Sequence, residues 1–308
     1  MQKEFYFNSK PQNDLWDSMW TGRTIEHELE QCDLEVVRRD LLLSYLPKEG
    51  KILDAGCGFG KLVIYLKRRG YNITGIDNNE LAVAKLKEFD KSLQVELGDI
   101  LNIHYPDNSF DAYISMGVVE HFEEGPLPAL KEAHRVLKPY GLIFVSVPTV
   151  NIIRQIIRQP FRKAINALPV SFILLRSGWV KSKRGAIFAA LGNILPEKAK
   201  AMVLGNGRRY YHFAEYRYSK SELENFLRES GFEIVETVPD DFNGSKNHAA
   251  GLVVDFPFLG ASNGVNFQLN PFGKLIWRTL DTLSPWIACA SVLCVGRSKK
   301  SSNEDAYK

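Results

Sequence analysis

The stretch Lys51-Ile52-Leu53-Asp54-Ala55-Gly56-Cys57-Gly58-Phe59-Gly60, running on into Lys61-Leu62-Val63-Ile64-Tyr65-Leu66, constrains this chain more than any other. A short apolar strand meets a turn with glycine at every second position, and a helix starts at once. The backbone of such a turn can press against a ligand with no side chain between them. The spacing is Asp-x-Gly-x-Gly-x-Gly, with the acid at the strand end. It is not the Gly-x-Gly-x-x-Gly that sets a pyrophosphate on a helix N-terminus. A carboxylate there repels a pyrophosphate and suits a ligand that carries an ammonium and ribose hydroxyls. By itself the turn is as consistent with tight packing as with a site, so the neighbouring segments decide.

A second strand, Tyr71-Asn72-Ile73-Thr74-Gly75-Ile76, ends at Asp77, 23 positions beyond Asp54. An acid at about that distance, on the tip of the next strand of a βαβ unit, is where a ribose diol is held. A third strand, 93–97, leads to Gly98-Asp99-Ile100, and a fourth, 110–115, leads to Met116-Gly117-Val118-Val119-Glu120-His121-Phe122. A helix through 129–137 stops at Lys138-Pro139-Tyr140-Gly141, ahead of a fifth strand, 142–148. Strands alternating with helices predict a doubly wound parallel sheet, which binds ligands at the carboxyl ends of its strands near the switch point.

In motif and order, the run from Lys51 to Pro148 resembles the class I (Rossmann-like) S-adenosylmethionine-dependent methyltransferases, and within them the ubiquinone/menaquinone-biosynthesis-like small-molecule group. The resemblance implies an α/β fold with a seven-stranded, mostly parallel sheet, and S-adenosylmethionine as cofactor. It places the cofactor on Asp54, Gly56, Gly58 and Gly60, the ribose on Asp77 with Asn78, the adenine on Asp99 and Ile100, and the sulfonium end near Met116 and His121. A related N-terminal helix covers the methionine end, which makes Trp20, Thr21 and Arg23 candidate contacts. In the ubiquinone-type enzymes a Glu-His pair with an acid three residues earlier looks like a divalent-metal site. That earlier position here is Gly117, so no metal is expected.

The organisation around this core follows from composition and charge. Residues 1–50 hold Phe5, Tyr6, Phe7, Trp16 and Trp20, too aromatic for a free tail, and the spacing of Leu29, Cys32, Val36, Val37, Leu41, Leu42 and Tyr45 predicts a helix ending at Pro47. The whole chain carries +3, but residues 151–209 hold twelve Lys and Arg against the single acid Glu197, which leaves the remainder at −8. Residues 149–210 therefore read as a basic helical insertion, or lid, after the fifth strand, with Arg154, Arg158 and Arg162 on one face and Ile152, Ile153, Ile156 and Ile157 on another. After it come the aromatic stretch 208–218, a helix 220–230 opened by Ser219-x-x-Glu222, a strand 232–238, a second insertion 239–288, an antiparallel last strand 291–296 at the sheet edge and a polar, disordered tail 299–308. Four scattered cysteines, no secretory leader and no uncharged run of spanning length point to a cytoplasmic protein.

The expected activity is methyl transfer to a small-molecule or lipid-linked acceptor, a glycan or isoprenoid intermediate, at oxygen. His121, at the carboxyl edge, and His212, on the approach from the insertion, are the candidate catalytic bases. The basic insertion suggests an anionic membrane surface as partner, with the protein peripheral at the inner membrane face. The alternatives are an RNA methyltransferase or a non-catalytic S-adenosylmethionine-binding module.

Overall fold

The computed structural model describes residues 1–8, 24–150, 210–240, 271–287 and 289–300. In chain order the elements are β1 (Gln2–Asn8), α1 (Ile25–Leu34), α2 (Val36–Tyr45), β2 (Lys51–Ala55), α3 (Lys61–Lys67), β3 (Asn72–Asp77), α4 (Glu80–Phe89), β4 (Val95–Leu97), β5 (Phe110–Met116), a 3-10 turn (Val119–His121) and α5 (Leu127–Val136). They continue as β6 (Leu137–Pro148), β7 (Tyr210–Arg217), α6 (Lys220–Glu229), β8 (Phe232–Asp240), α7 (Pro271–Leu283) and β9 (Ser291–Ser298). Seven strands form one sheet in the order β4-β3-β2-β5-β6-β9-β8, in which the first five are parallel and β9 runs antiparallel to both its neighbours. This is the expected doubly wound sheet, and its switch point lies between β2 and β5.

The period of two along the strands builds the core on both faces. Ile52, Ile114 and Phe144 point into one apolar cluster with Val63, Leu66 and Leu86, and Leu53, Tyr113 and Val145 point into the other with Leu130, Val136 and Leu227. Each such fully buried side chain contributes about 1.5–3 kcal/mol of transfer free energy. Ser219 opens α6 with a complete capping box to Glu222, as its spacing predicts. His134 sits in α5, edge-on to Phe232 with ring centroids 5.1 Å apart.

Several boundaries differ from the sequence reading, each for a physical reason. The last strand, β9, is not at the edge: it lies between β6 and β8, and Val292 to Val295 are fully buried, so it is apolar because both its faces are covered. The single helix expected over 29–45 is two, parted at Glu35, whose carboxylate is buried between Arg38 and Lys61. Strand β6 begins at Leu137, directly after α5, because Phe110 of β5 already pairs with Leu137 there. The chain does not fall loose at Lys299: its N–H bonds to Gly231, and the Lys300 amino group donates to Asn108 and to the carbonyls of Arg135 and Leu137. The aromatic stretch after the insertion is strand β7, paired antiparallel with β1 in a separate two-stranded sheet, Gln2 opposite Arg217 and Asn8 opposite Tyr210. The basic insertion, Trp20, Thr21 and Arg23 lie outside the described residues, as do most of the second insertion and the tail beyond 300.

Candidate functional site

The glycine turn owes its spacing to backbone geometry. Gly56, Gly58 and Gly60 all adopt left-handed φ values, 81°, 52° and 63°, a region other residues enter only with strain. At Gly56 an added Cβ would also come within 2.5 Å of a Val118 methyl, so the turn is locked against the segment that follows β5. The N–H groups of Gly56 and Cys57 both donate to the Ile76 carbonyl, at 2.8 and 3.0 Å, which ties the turn to β3.

Asp77, at the tip of β3, is the hinge of the site. One carboxylate oxygen accepts from Gly58 N–H at 2.7 Å and the other from Asn79 N–H at 2.9 Å, and the Asn79 side chain caps α4 through Ala82 N–H. The carboxyl is held above the ordinary range by burial, against the pull of those two N–H groups. Asp99 accepts from Leu101 N–H at 2.9 Å through one oxygen. Between these tips opens a cleft of about 770 Å³, counted out to its mouth, lined by Gly56, Asp77, Asn78, Asp99, Ile100 and His121, with Val118 and Phe122 as apolar walls.

Not every candidate lines that cleft. Asp54 lies behind the turn, 3 % exposed, and its carboxyl is pushed up to about 7 by burial, with Asp77's charge adding and Lys61's offsetting. Gly58 and Gly60 shape the turn from behind, and Met116 ends β5 half-buried. His121 closes the 3-10 turn at the cleft. His212 is on β7, opposite Tyr6, and β7 packs against that turn, so the two strands of chain carrying the candidate bases meet. Among the described residues no group of three or more His, Cys, Asp or Glu could hold a metal ion.

The sequence reading did not foresee the ion network beneath the site. Arg38, 1 % exposed, donates to Asp240 at 2.6 Å, to Ser146 Oγ at 3.1 Å and to Glu35 at 3.3 Å. Glu35 in turn accepts from the Lys61 amino group at 2.7 Å. The network joins α2, the first helical residue after the glycine turn, and the carboxyl ends of β6 and β8. Its partners stand up to 202 positions apart, so only Lys61's place after the turn was a signal.

Residues 53–145 match the family model described as a methyltransferase domain. The chain carries a class I methyltransferase domain. It is 35% identical over 106 residues to the ubiquinone biosynthesis O-methyltransferase of Pseudomonas aeruginosa, covering 33% of this chain and 44% of that protein. It is 37% identical over 125 residues to the demethylmenaquinone methyltransferase of Staphylococcus epidermidis, covering 37% of this chain and 51% of that one. The chain thus spans about half the length of the curated relatives it matches. Among solved structures, a SAM-dependent methyltransferase from Methanosarcina mazei shares the fold, with a TM-score of 0.51, 15% identity and coverage of 85% of this chain and 98% of that one.

The methyltransferase domain and its fold imply S-adenosylmethionine as cofactor, and the residues present fit it. Asp77 and Asp99 offer the two carboxylates a ribose and an exocyclic amine call for, Ile100 and Phe122 offer apolar walls for a ring, and Gly56 removes the side chain that would fill the cradle.

Proposed function

We propose that this protein is an S-adenosylmethionine-dependent methyltransferase that methylates, at oxygen, a hydroxyl-bearing lipid-linked acceptor of the quinone-precursor kind. The observation that carries the reading is Asp77, placed at the switch-point cleft with its carboxylate already oriented by Gly58 and Asn79. Bound there, the cofactor supplies a methyl group activated by the positive charge on its sulfur. The chain's own work is then to orient the acceptor, exclude water and take up the hydroxyl proton. His121, at the cleft, and His212, on the strand against it, are the side chains suited to that last task at neutral pH.

The acceptor class is supported by two of the relatives, whose names refer to quinone methylation, and by the sequence of the insertion. Residues 151–209 follow directly on Val150, which is held to Tyr218 at the carboxyl edge of the sheet. Their twelve basic residues are interleaved with aliphatic ones, which suit an acyl or prenyl chain at an anionic surface rather than the stacked bases of RNA. In this reading the basic insertion makes a peripheral contact at the inner membrane face; among the described residues no helix is long and apolar enough to cross a membrane.

The test pairs labelled methyl transfer to a short-chain prenylated catechol and to mixed RNA with flotation on anionic and neutral liposomes, repeated with Arg154, Arg158 and Arg162 changed to Gln. Transfer to the catechol and flotation with anionic liposomes that the triple variant loses are expected. Transfer to RNA alone overturns the acceptor, and no transfer to either, with cofactor bound, returns the chain to the non-catalytic alternative.

A further inference from the structure

One buried acid near the cleft keeps a carboxylate oxygen without a partner. Glu120 lies on the 3-10 turn next to His121, is 1 % exposed, and its Oε2 has no hydrogen-bond partner. A buried polar atom left unpaired is destabilising, and such atoms are rare in folded chains without a reason. The groups that face it are few. His121 Nε2 is 3.9 Å from Glu120 Oε1, too far for a hydrogen bond to a neutral ring and within ion-pair range of a protonated one. From β7, Glu215 and Arg217 act on it with opposite signs, but they are paired with each other at 2.7 Å. The Tyr218 hydroxyl, also buried and without a hydrogen-bond partner, is raised by burial and then by Glu120's charge. Glu120's own carboxyl is pushed up to about 7, chiefly by burial, with His121 pulling it down.

We infer that Glu120 is the positioning residue for proton removal from the acceptor, holding and charge-balancing the His121 imidazole as it becomes an imidazolium. The inference rests on the methyltransferase reading above and deepens it. The step is balanced within the chain: the acceptor's O–H bond breaks, its electron pair stays on oxygen, the proton bonds to the imidazole nitrogen, and solvent later receives it. The interaction strengthens only as the proton moves, which is the condition for an effect on the rate rather than on binding. It also serves either outcome at an aromatic hydroxyl, since the resulting phenoxide can be methylated at oxygen or pass its charge to a ring carbon.

Two arms test it. In the S-adenosylhomocysteine complex, the Glu120 carboxyl is titrated by 13C NMR, with Glu120→Gln identifying its resonance. The midpoint near 7 should rise in His121→Gln, because the group that lowers it is gone; an unmoved midpoint overturns the pairing. In the second arm, kcat for the prenylated catechol is followed from pH 5.5 to 9. The wild type should lose kcat on the acid side, Glu120→Gln should move that limb to lower pH and lose about tenfold or more in kcat with KM nearly unchanged, and Glu120→Asp should restore part. A Glu120→Gln enzyme with the wild-type profile overturns the role. A wild type that binds cofactor yet methylates no catechol refutes the acceptor reading instead, and the NMR arm still decides the pairing.

Discussion

Arg38→Met removes the centre of the buried ion network while keeping most of the side chain's apolar stem. The change leaves Glu35 its bond to Lys61 but strips Asp240, whose side chain is 1 % exposed, of everything except Ser146 Oγ. Breaking a buried pair from one side costs about 3–5 kcal/mol, because the remaining charge stays buried. At about 2–4 °C per kcal/mol for chains of this order, the melting temperature should fall by roughly 6–20 °C. The network itself is not expected to contribute that much, since desolvation offsets most of its attraction. Arg38→Met combined with Asp240→Leu should therefore recover at least half of the loss. Thermal melts of the wild type, both single variants and the double variant close the cycle. A double variant as unstable as the sum of the singles would refute the reasoning, because it would mean that Asp240 is not an uncompensated charge in the single variant.

Two further predictions concern the turn. Gly56→Ala places a methyl group 2.5 Å from Val118 at a φ of 81°, so it should weaken cofactor binding at least tenfold by calorimetry, whereas Gly70→Ala, with a similar φ but nothing within 4 Å, should leave it unchanged. Asp54 should make cofactor binding pH-dependent. Its folded carboxyl is raised to about 7 from 3.8, so on its own account the free protein loses stability as pH rises from about 4 to about 7. A cationic ligand that favours the ionised form, felt through the turn, should bind tighter at pH 8 than at pH 6, by at most about tenfold. Asp54→Asn should flatten that dependence, and an equally steep profile in the variant would show that another group is responsible.

What was legible in the sequence is what local chemistry specifies. The alternating glycines announce the left-handed turn, the apolar runs announce buried parallel strands, and the 23-residue step from Asp54 to Asp77 announces an acid at the tip of the next strand, beside the cleft. What was not legible depends on pairing across long stretches of chain. The last strand was put at the edge because nothing local distinguishes an interior antiparallel strand from an edge one except burial of both faces, as at Val292 to Val295. The pairing of β1 with β7 joins residues more than 200 positions apart, and neither segment has the turn residues that betray a hairpin. The Arg38 network was hidden for the same reason, and the burial of Glu120 with its Oε2 unpartnered is a property of its surroundings that no residue string contains.

The most direct measurement of the central claim is a calorimetric titration of wild type and Asp77→Ala with S-adenosylmethionine, with ATP as control. The account predicts one site per chain in the wild type and no heat from ATP. Losing the ribose hydrogen bonds to a charged acceptor, worth about 1.5–3 kcal/mol each, should weaken the variant by a hundredfold or more. Binding of the cofactor with unchanged affinity in Asp77→Ala, or no binding by the wild type at all, would contradict it.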